Sequence, residues 1–389
     1  SSIASWRAYE RFEKSDRLEL ADIFRLHGPA YRAKFQQRLL PSHRRVMEAI
    51  ENCRTEALGG QLYHCTSCDQ FLYSYHSCQN RHCPKCRNDD ATTWLARQQQ
   101  LLLPVTHFLV TFTLPDPLRQ LARSHQKLVY NLLFRASAAA LQKLARDPRF
   151  VGGQLGLVGV LQTWTRDLRY HPHIHYLVPA GGLAADGQWL PAKHPKFLVP
   201  VKALGKIFRA KFRDALNKTP LYPQVPPQVW KQDWVVDCEP VGSGQAALKY
   251  LAPYVFRVAL SNNRILKLEN SQVTFRYQDS QTKRPRRATL PAPEFIRRFL
   301  QHVLPHRFQK VRYYGFFRSP QRSRLLQLQA LLTVTPKAED PTQFSPSQDT
   351  RDEPHLTVIR CPQCGRPMQL VQQLPRQKPT SSPPPPSRS

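Results

Sequence analysis

The apolar positions of this chain change period from helical to alternating and back, and each change marks an element. Up to about Arg45 the sequence is basic, with Ile23, Phe24, Leu26, Tyr31 and Phe35 at loosely helical spacings that predict amphipathic helical material. Residues 92–103 predict another helix, stopped by Pro104, which has no N–H to continue it. Residues 107–114 form a β-branched and aromatic run ended by Pro115-Asp116-Pro117, which predicts a strand and then a turn. A helix is expected over 118–144, a strand over 156–164, and another over 173–178, closed by Pro179 and Gly181-Gly182. Residues 202–216 predict a basic helix, 220–227 a Pro-rich surface connection and 234–238 a short strand. A helix opens at Gly242-Ser243-Gly244 and runs to about Val258, and 265–268 with 273–277 predict a hairpin around Glu269-Asn270. Strands and helices mixed in this order give an α+β chain.

Charge narrows the function. The 389 residues suffice for two or three domains, and 57 Lys and Arg against 27 Asp and Glu leave a formal charge of +30. That excess repels itself unless a polyanion neutralises it, which argues against most small-molecule enzymes and for nucleic acid or an anionic membrane. Hydrophobic residues make up 41% of the chain, too many for a wholly disordered one, and no apolar run approaches the roughly 18 residues of a membrane span. Residues 1–10 carry charge and no apolar signal core, so secretion is unsupported. Between Lys283 and Arg322, eleven basic residues and one acid, Glu294, are interleaved with Phe295, Phe299, Phe308, Tyr313, Tyr314, Phe316 and Phe317. Such a stretch can grip DNA, its cations by counterion release and its aromatics by stacking on unpaired bases, although the aromatics equally suit a core. Beyond about Thr335, Pro, Ser and Gln dominate, and the tail is expected to be disordered.

Six of the nine cysteines lie between Cys53 and Cys86 and two more at Cys361 and Cys364, a clustering that points to metal. Cys65-x2-Cys68 and Cys83-x2-Cys86 are two knuckles fourteen residues apart, close to the spacing by which paired knuckles close a tetrahedral thiolate zinc site. Cys53, His76, Cys78 and His82 remain inside the same stretch for a second ion, with His64 an alternative ligand for either. Four protein ligands leave no open position for water, so this metal organises a surface and performs no chemistry. Cys361-Pro-Gln-Cys364 is a lone knuckle without a visible partner pair, which either borrows ligands from elsewhere in the chain, bridges to another chain or is a remnant of a longer element.

In His171-Pro172-His173-Ile174-His175, residues two apart share a face of a strand, so His173 and His175 can offer two imidazoles to one ion. Pro172 marks the expected start of that strand, which would leave His171 outside it. A chance cluster on a core strand is the competing explanation. Tyr250 and Tyr254 stand four apart, on one face of a helix, a spacing more often found in a core. A phenol oxygen can nevertheless attack a phosphodiester when a divalent ion polarises the phosphate.

These blocks together resemble the HUH-type, two-tyrosine transposases of rolling-circle insertion sequences, the IS-ninety-one kind. The match covers about residues 40–320: the cysteine block with Asn80-Arg-His-Cys-Pro-Lys-Cys86, then His173-Ile-His175, Tyr250 and Tyr254, 257–262, 273–277, and 299–305 with Tyr314-Gly315. The resemblance implies an N-terminal zinc-binding domain and then a HUH nuclease core, an antiparallel sheet with helices of ferredoxin or RRM kind. With it come the boundaries 1–45 for a helical segment, 46–103 for the zinc domain, 104–322 for the nuclease and 323–389 for a mostly disordered tail. It also implies one or two structural Zn²⁺, and Mg²⁺ or Mn²⁺ held by His173, His175 and a third polar ligand, for which Gln245 is the first candidate and Glu239 a weaker one. Tyr250 is then the nucleophile that leaves a 5′-phosphotyrosine, and Tyr254 the nucleophile for a second strand. Pro253 between them puts a kink in that helix and makes the role of Tyr254 less secure. Partners would be single-stranded transposon ends and target DNA, gripped by Arg284, Arg286 and Arg287 among others, with no membrane and no nucleotide cofactor, in a bacterial cytoplasm near the nucleoid. A rolling-circle replication initiator and a non-catalytic zinc protein that binds nucleic acid are the alternatives. Zinc hydrolase chemistry lacks its helical H-E-x-x-H arrangement.

Overall fold

The chain begins with two helices, α1 (Leu20–Lys34) and α2 (Pro41–Glu51). The Asp22 side chain accepts from the Glu19 amide at 2.9 Å at the start of α1, and Pro41 opens α2 where its missing N–H costs nothing. A hairpin of β1 (Gly60–Cys65) and β2 (Gln70–Tyr75) follows, then β3 (Thr106–Thr113), α3 (Arg119–Ser124) and α4 (Gln126–Ala145). β4 (Leu157–Trp164), β5 (Tyr170–Pro179), the short β6 (Gly181–Leu183) and β7 (Trp189–Pro191), α5 (Val201–Leu216) and β8 (Val236–Ser243) complete the central body. Beyond them lie β9 (Ile265–Glu269), β10 (Gln272–Gln278), β11 (Pro285–Pro291), α6 (Ala292–Leu300), β12 (Val311–Tyr314), α7 (Arg322–Thr333) and β13 (Gln369–Leu374). This computed structural model describes residues 17–86, 95, 98–100, 102–246, 248, 255, 259–279, 282, 284–333 and 358–377.

Five strands form one antiparallel sheet in the order β12-β4-β5-β3-β8, so the fold is α+β with antiparallel sheets, as the periodicity predicts. Alternation along these strands sends Val110, Phe112, Ile174 and Tyr176 to one face, where Phe134 of α4 and Phe208 and Phe212 of α5 bury them. Gly159 pairs with Tyr176 and makes room for its ring, since a Cβ there would lie 2.5 Å from the Tyr176 Cε1. The opposite face carries Leu109, Val158, Val160 and Leu177, covered by Leu248, Phe316, Phe317 and, from α7, Leu325 and Leu328.

Several sequence expectations change here. β5 starts at Tyr170, so Pro172 lies inside it; it falls where the β4–β5 register shifts between Gln162 and Trp164, a bulge that needs no donor from it. The helix expected over 118–144 breaks at His125 into α3 and α4. The expected hairpin of β9 and β10 gains a third strand, β11, from the basic stretch. The phenylalanines of that stretch are core: Phe295, Phe299, Phe308, Phe316 and Phe317 are all buried, which removes them as base-stacking platforms, while Tyr313 and Tyr314 are half-buried. Parts of the segment expected to be a disordered tail carry regular structure, as α7 and β13. The N-terminal amphipathic helices pack onto the rest of the chain: Phe24, Met47 and Cys53 share one core with Cys83, Phe275 and Phe299.

Buried histidines make this body acid-sensitive, His107 and His302 among them. His107 is fully buried and His302 nearly so, and burial pushes both down to about 4 from an ordinary 6.5. Unfolded chains therefore bind more protons than the folded one between about pH 4 and 6.5, so stability falls as pH drops through that window and is flat above it. At pH 5 the expected loss is about 2 kcal/mol per histidine relative to pH 7. Urea unfolding at the two pH values checks this, and His302→Gln should lose correspondingly less. An identical pH loss in that variant would remove His302 from the explanation.

Candidate catalytic face and metal centres

Along the second face of the central sheet the side chains change from apolar to polar within one period. On β3 the row reads Leu109, Thr111, Thr113, on β5 Leu177, His175, His173, and on β4 Val158, Val160, Gln162. Cross-strand registers hold the polar members together: His175 pairs with Thr111 and Val160, and His173 with Thr113 and Gln162. The two imidazole rings lie 4.8 Å apart, nearly perpendicular, and both are buried. His173 Nδ1 donates to the His171 carbonyl at 2.6 Å, which leaves the lone pair on Nε2, the atom that can bind a cation. His175 Nδ1 pairs with the Thr111 hydroxyl at 2.9 Å. Burial keeps both rings neutral, His175 at about 4 and His173 well below its ordinary value. His171 joins the row because β5 starts early, but Arg119 donates to its Nδ1, so its proton sits on Nε2 and no lone pair remains for an ion.

A third oxygen is available beside them. Gln162 is buried directly opposite His173, its Nε2 donating to the Trp164 carbonyl, and its Oε1 has no hydrogen-bond partner among the described residues. An orphaned carbonyl oxygen beside two neutral imidazoles is a donor set that can hold a divalent cation. The sequence reading missed it because a lone Gln inside an apolar strand carries no motif; the alternation that places it on the His173 face was the available clue. Gln245, the first sequence candidate, is exposed and follows Ser243, which pairs with Thr106. From there to Thr111 is roughly 17 Å along β3, so Gln245 is not brought together with the imidazoles. Glu239 pairs with Leu109 and Asp237 with Thr111; both are exposed on the edge strand.

Tyr250 and Tyr254 lie outside the described residues. Their flanks are fixed. Gly244 and Leu248 have helical backbone, with Leu248 packed on the sheet, and Lys310 Nζ donates to the Val255 carbonyl. The Lys310 carbonyl accepts from Leu161, next to Val160, the partner of His175.

Two cysteine quartets form, and each differs from the pairing that spacing suggests. Cys53, Cys78, Cys83 and Cys86 make one, with sulfurs 3.4 Å apart for Cys53–Cys86 and 3.6 Å for Cys78–Cys86. Cys65 and Cys68 instead meet Cys361 and Cys364. The two N-terminal knuckles thus belong to different centres, because β1 and β2 carry Cys65 and Cys68 away from Cys53, which sits just past the end of α2. Four sulfurs on a zinc ion stand about 3.8 Å apart, so the first quartet fits a tetrahedral thiolate site. His76 and His82 belong to neither group, and the Leu304 amide points at His82 Nε2 from 3.4 Å. His64 is held by Asp69 at 2.7 Å.

Arg284, Arg286 and Arg287 are exposed at the edge strand β11. Arg286 is 3.5 Å from Asp279, whereas Arg287 stands directly opposite Arg276. Like charges opposed on a sheet are destabilising, and among the described residues neither of these two makes an ion pair. A surface cleft of about 290 Å³ opens beside them, lined by Arg264, Arg276, Tyr277, Gln278 and Pro285. This side of the molecule suits a polyanion.

Comparison with known proteins gives a consistent picture. Residues 156–324 match the family described as "Putative transposase", and residues 23–114 match "Transposase zinc-binding domain" of the IS91 type. A "Putative transposase" of Sinorhizobium fredii is 39% identical over 371 residues, covering 89% of this chain and 92% of the relative. The transposase for insertion sequence element IS801 of Pseudomonas savastanoi pv. phaseolicola is 28% identical over 336 residues, covering 80% of this chain and 79% of its own. No solved structure matches.

Proposed function

Since the chain belongs to the family of IS91-type transposases, we propose that it nicks and rejoins single-stranded transposon-end DNA through a phosphotyrosine on Tyr250. The observation that carries this reading is the polar end of the sheet: two neutral imidazoles, His173 and His175, beside the orphaned Oε1 of Gln162. Those three would hold Mg²⁺ or Mn²⁺, and the ion when bound withdraws electrons from the phosphate under attack. The Thr111 hydroxyl and the His171 carbonyl fix the two rings, so the ligands are oriented before the ion arrives.

Tyr250 then attacks phosphorus through its phenol oxygen. One P–O bond forms and the bond to the 3′ oxygen of the neighbouring nucleotide breaks, which leaves a 5′-phosphotyrosine and a free 3′-hydroxyl. The phosphodiester energy stays in the new bond, so rejoining to a target strand needs no nucleotide triphosphate. Tyr254 serves a second strand in the same way. Incubating the protein with a single-stranded oligonucleotide of the element's end and Mn²⁺ tests the chemistry. A covalent adduct should form, disappear with EDTA and in Tyr250→Phe, and persist in Tyr254→Phe. An adduct that forms equally well in EDTA would end the metal assignment.

Binding rests on distributed cations. Replacing Arg284, Arg286 and Arg287 together by Ala should flatten the slope of log affinity against log salt by about 2, since each phosphate contact on a single strand contributes about 0.7. Fluorescence anisotropy across a salt series measures it. An unchanged slope would move the contact surface away from β11.

A further inference from the structure

Cys361 and Cys364 stand apart from everything the function uses. They lie beyond both family matches, which end at residues 114 and 324. The fold nevertheless carries them to the tip of the N-terminal hairpin, 293 residues away in sequence for Cys68 and Cys361. The four sulfurs are 3.4 Å (Cys65–Cys68), 3.5 Å (Cys65–Cys364), 3.4 Å (Cys68–Cys361) and 3.7 Å (Cys68–Cys364) apart. Those separations far exceed the roughly 2.0 Å of a disulfide and approach the 3.8 Å edge of a zinc tetrathiolate.

Both knuckles are built alike. Backbone N–H groups of Ser67 and Cys68 point at the Cys65 sulfur, and those of Gln363 and Cys364 at the Cys361 sulfur. The Gly365 amide closes the second turn onto the Cys361 carbonyl at 2.8 Å, with Gly365 in the left-handed region at φ +71. Arg366 reaches across to the Ser67 hydroxyl at 3.0 Å. Next to them β13 adds to β1 as a third strand, from Gly60 opposite Leu374 to His64 opposite Gln369.

Hydrophobic burial does little to hold this segment. Its core is Cys65, Cys361 and Met368 with Tyr63, Cys68, Leu72 and Ile359 beside them, while Leu370 and Val371 of β13 are exposed. A cluster of that size does not order twenty residues alone, so another source of cohesion is required. We propose that Cys65, Cys68, Cys361 and Cys364 bind a second zinc ion, and that this ion clamps residues 358–377 onto the N-terminal hairpin. The clamp makes the end of the chain part of the N-terminal unit, and it covers the β1 edge, which otherwise exposes unpaired backbone.

The full-length protein tests this in two ways. Elemental analysis should find two zinc ions per chain, falling to one in the Cys361→Ser, Cys364→Ser double variant and remaining two in Cys364→His, which keeps a ligand. A single zinc in the parent, or two in the double variant, would overturn the site. A protease site inserted between residues 340 and 350 tests the clamp itself. After cutting, the C-terminal fragment should co-elute with the body on gel filtration in the parent and separate from it in the double serine variant. Co-elution from both would show that strand pairing alone holds the segment and would refute the clamp.

Discussion

His173→Ala or His175→Ala should lower strand cleavage by about three orders of magnitude, the several kcal/mol that a catalytic ion contributes, while DNA affinity should stay within about twofold. The asymmetry follows from geometry. The imidazoles occupy one buried end of the central sheet, whereas the exposed cations proposed to grip DNA lie on β11 and its neighbours. Gln162→Leu keeps the volume and removes the orphaned oxygen, so its mark is a shift in metal dependence: the Mn²⁺ concentration for half-maximal cleavage rises about tenfold or more. A cleavage assay titrated with Mn²⁺ separates the two effects. Full cleavage by the double histidine variant, or a Gln162→Leu curve that overlays the parent, would remove these residues from the site.

Cys83→Ser is expected to cost the N-terminal core its fold. Structural zinc contributes on the order of 10 kcal/mol or more of binding free energy, comparable with the whole stability of a domain. Cys83 and Cys53 are fully buried and pack among Phe24, Met47 and Phe299, so a lost ion exposes that core as well. Zinc content should fall by one ion per chain, with early proteolysis of the helices α1 and α2. Cys238→Ser is the control, since Cys238 is buried against Leu204 and Phe208 in the central core and belongs to neither quartet. A Cys83→Ser protein with full zinc and an unchanged melting temperature would contradict the structural-zinc reading.

Local pattern carried much of this fold. The β-branched runs at 107–114 and 156–164 are β3 and β4 within a residue or two, and the i, i+2 spacing of His173 and His175 does put both rings on one face. What pattern could not carry was long-range pairing. Two knuckles fourteen residues apart have the spacing of a single site, yet each takes partners that only the tertiary path supplies, Cys53 and Cys78 for one and Cys361 and Cys364 for the other. Gln162 was invisible for the same reason: nothing in its own segment distinguishes it, and its meaning comes from the register that sets it opposite His173. Gln245 was attractive by its closeness in sequence to Tyr250, but β8 ends at the other end of the sheet from the imidazoles. The phenylalanines after Lys283 show the opposite failure, because interleaving with cations suggested stacking while their burial follows from α6, β12 and the turns after it.

Locating the covalent link on the trapped adduct tests the proposed chemistry most directly. Trypsin should release residues 250–257 as one peptide, because Lys249 and Arg257 bound it, and this peptide holds both Tyr250 and Tyr254. Fragmentation between them by tandem mass spectrometry assigns the nucleotide. In the parent protein with Mn²⁺, the 5′-phosphate should be found on the Tyr250 oxygen, with a free 3′-hydroxyl on the released strand. A nucleotide on Tyr254 alone would reverse the order of the two nucleophiles, and a cleaved strand with no nucleotide on either tyrosine would contradict the phosphotyrosine mechanism.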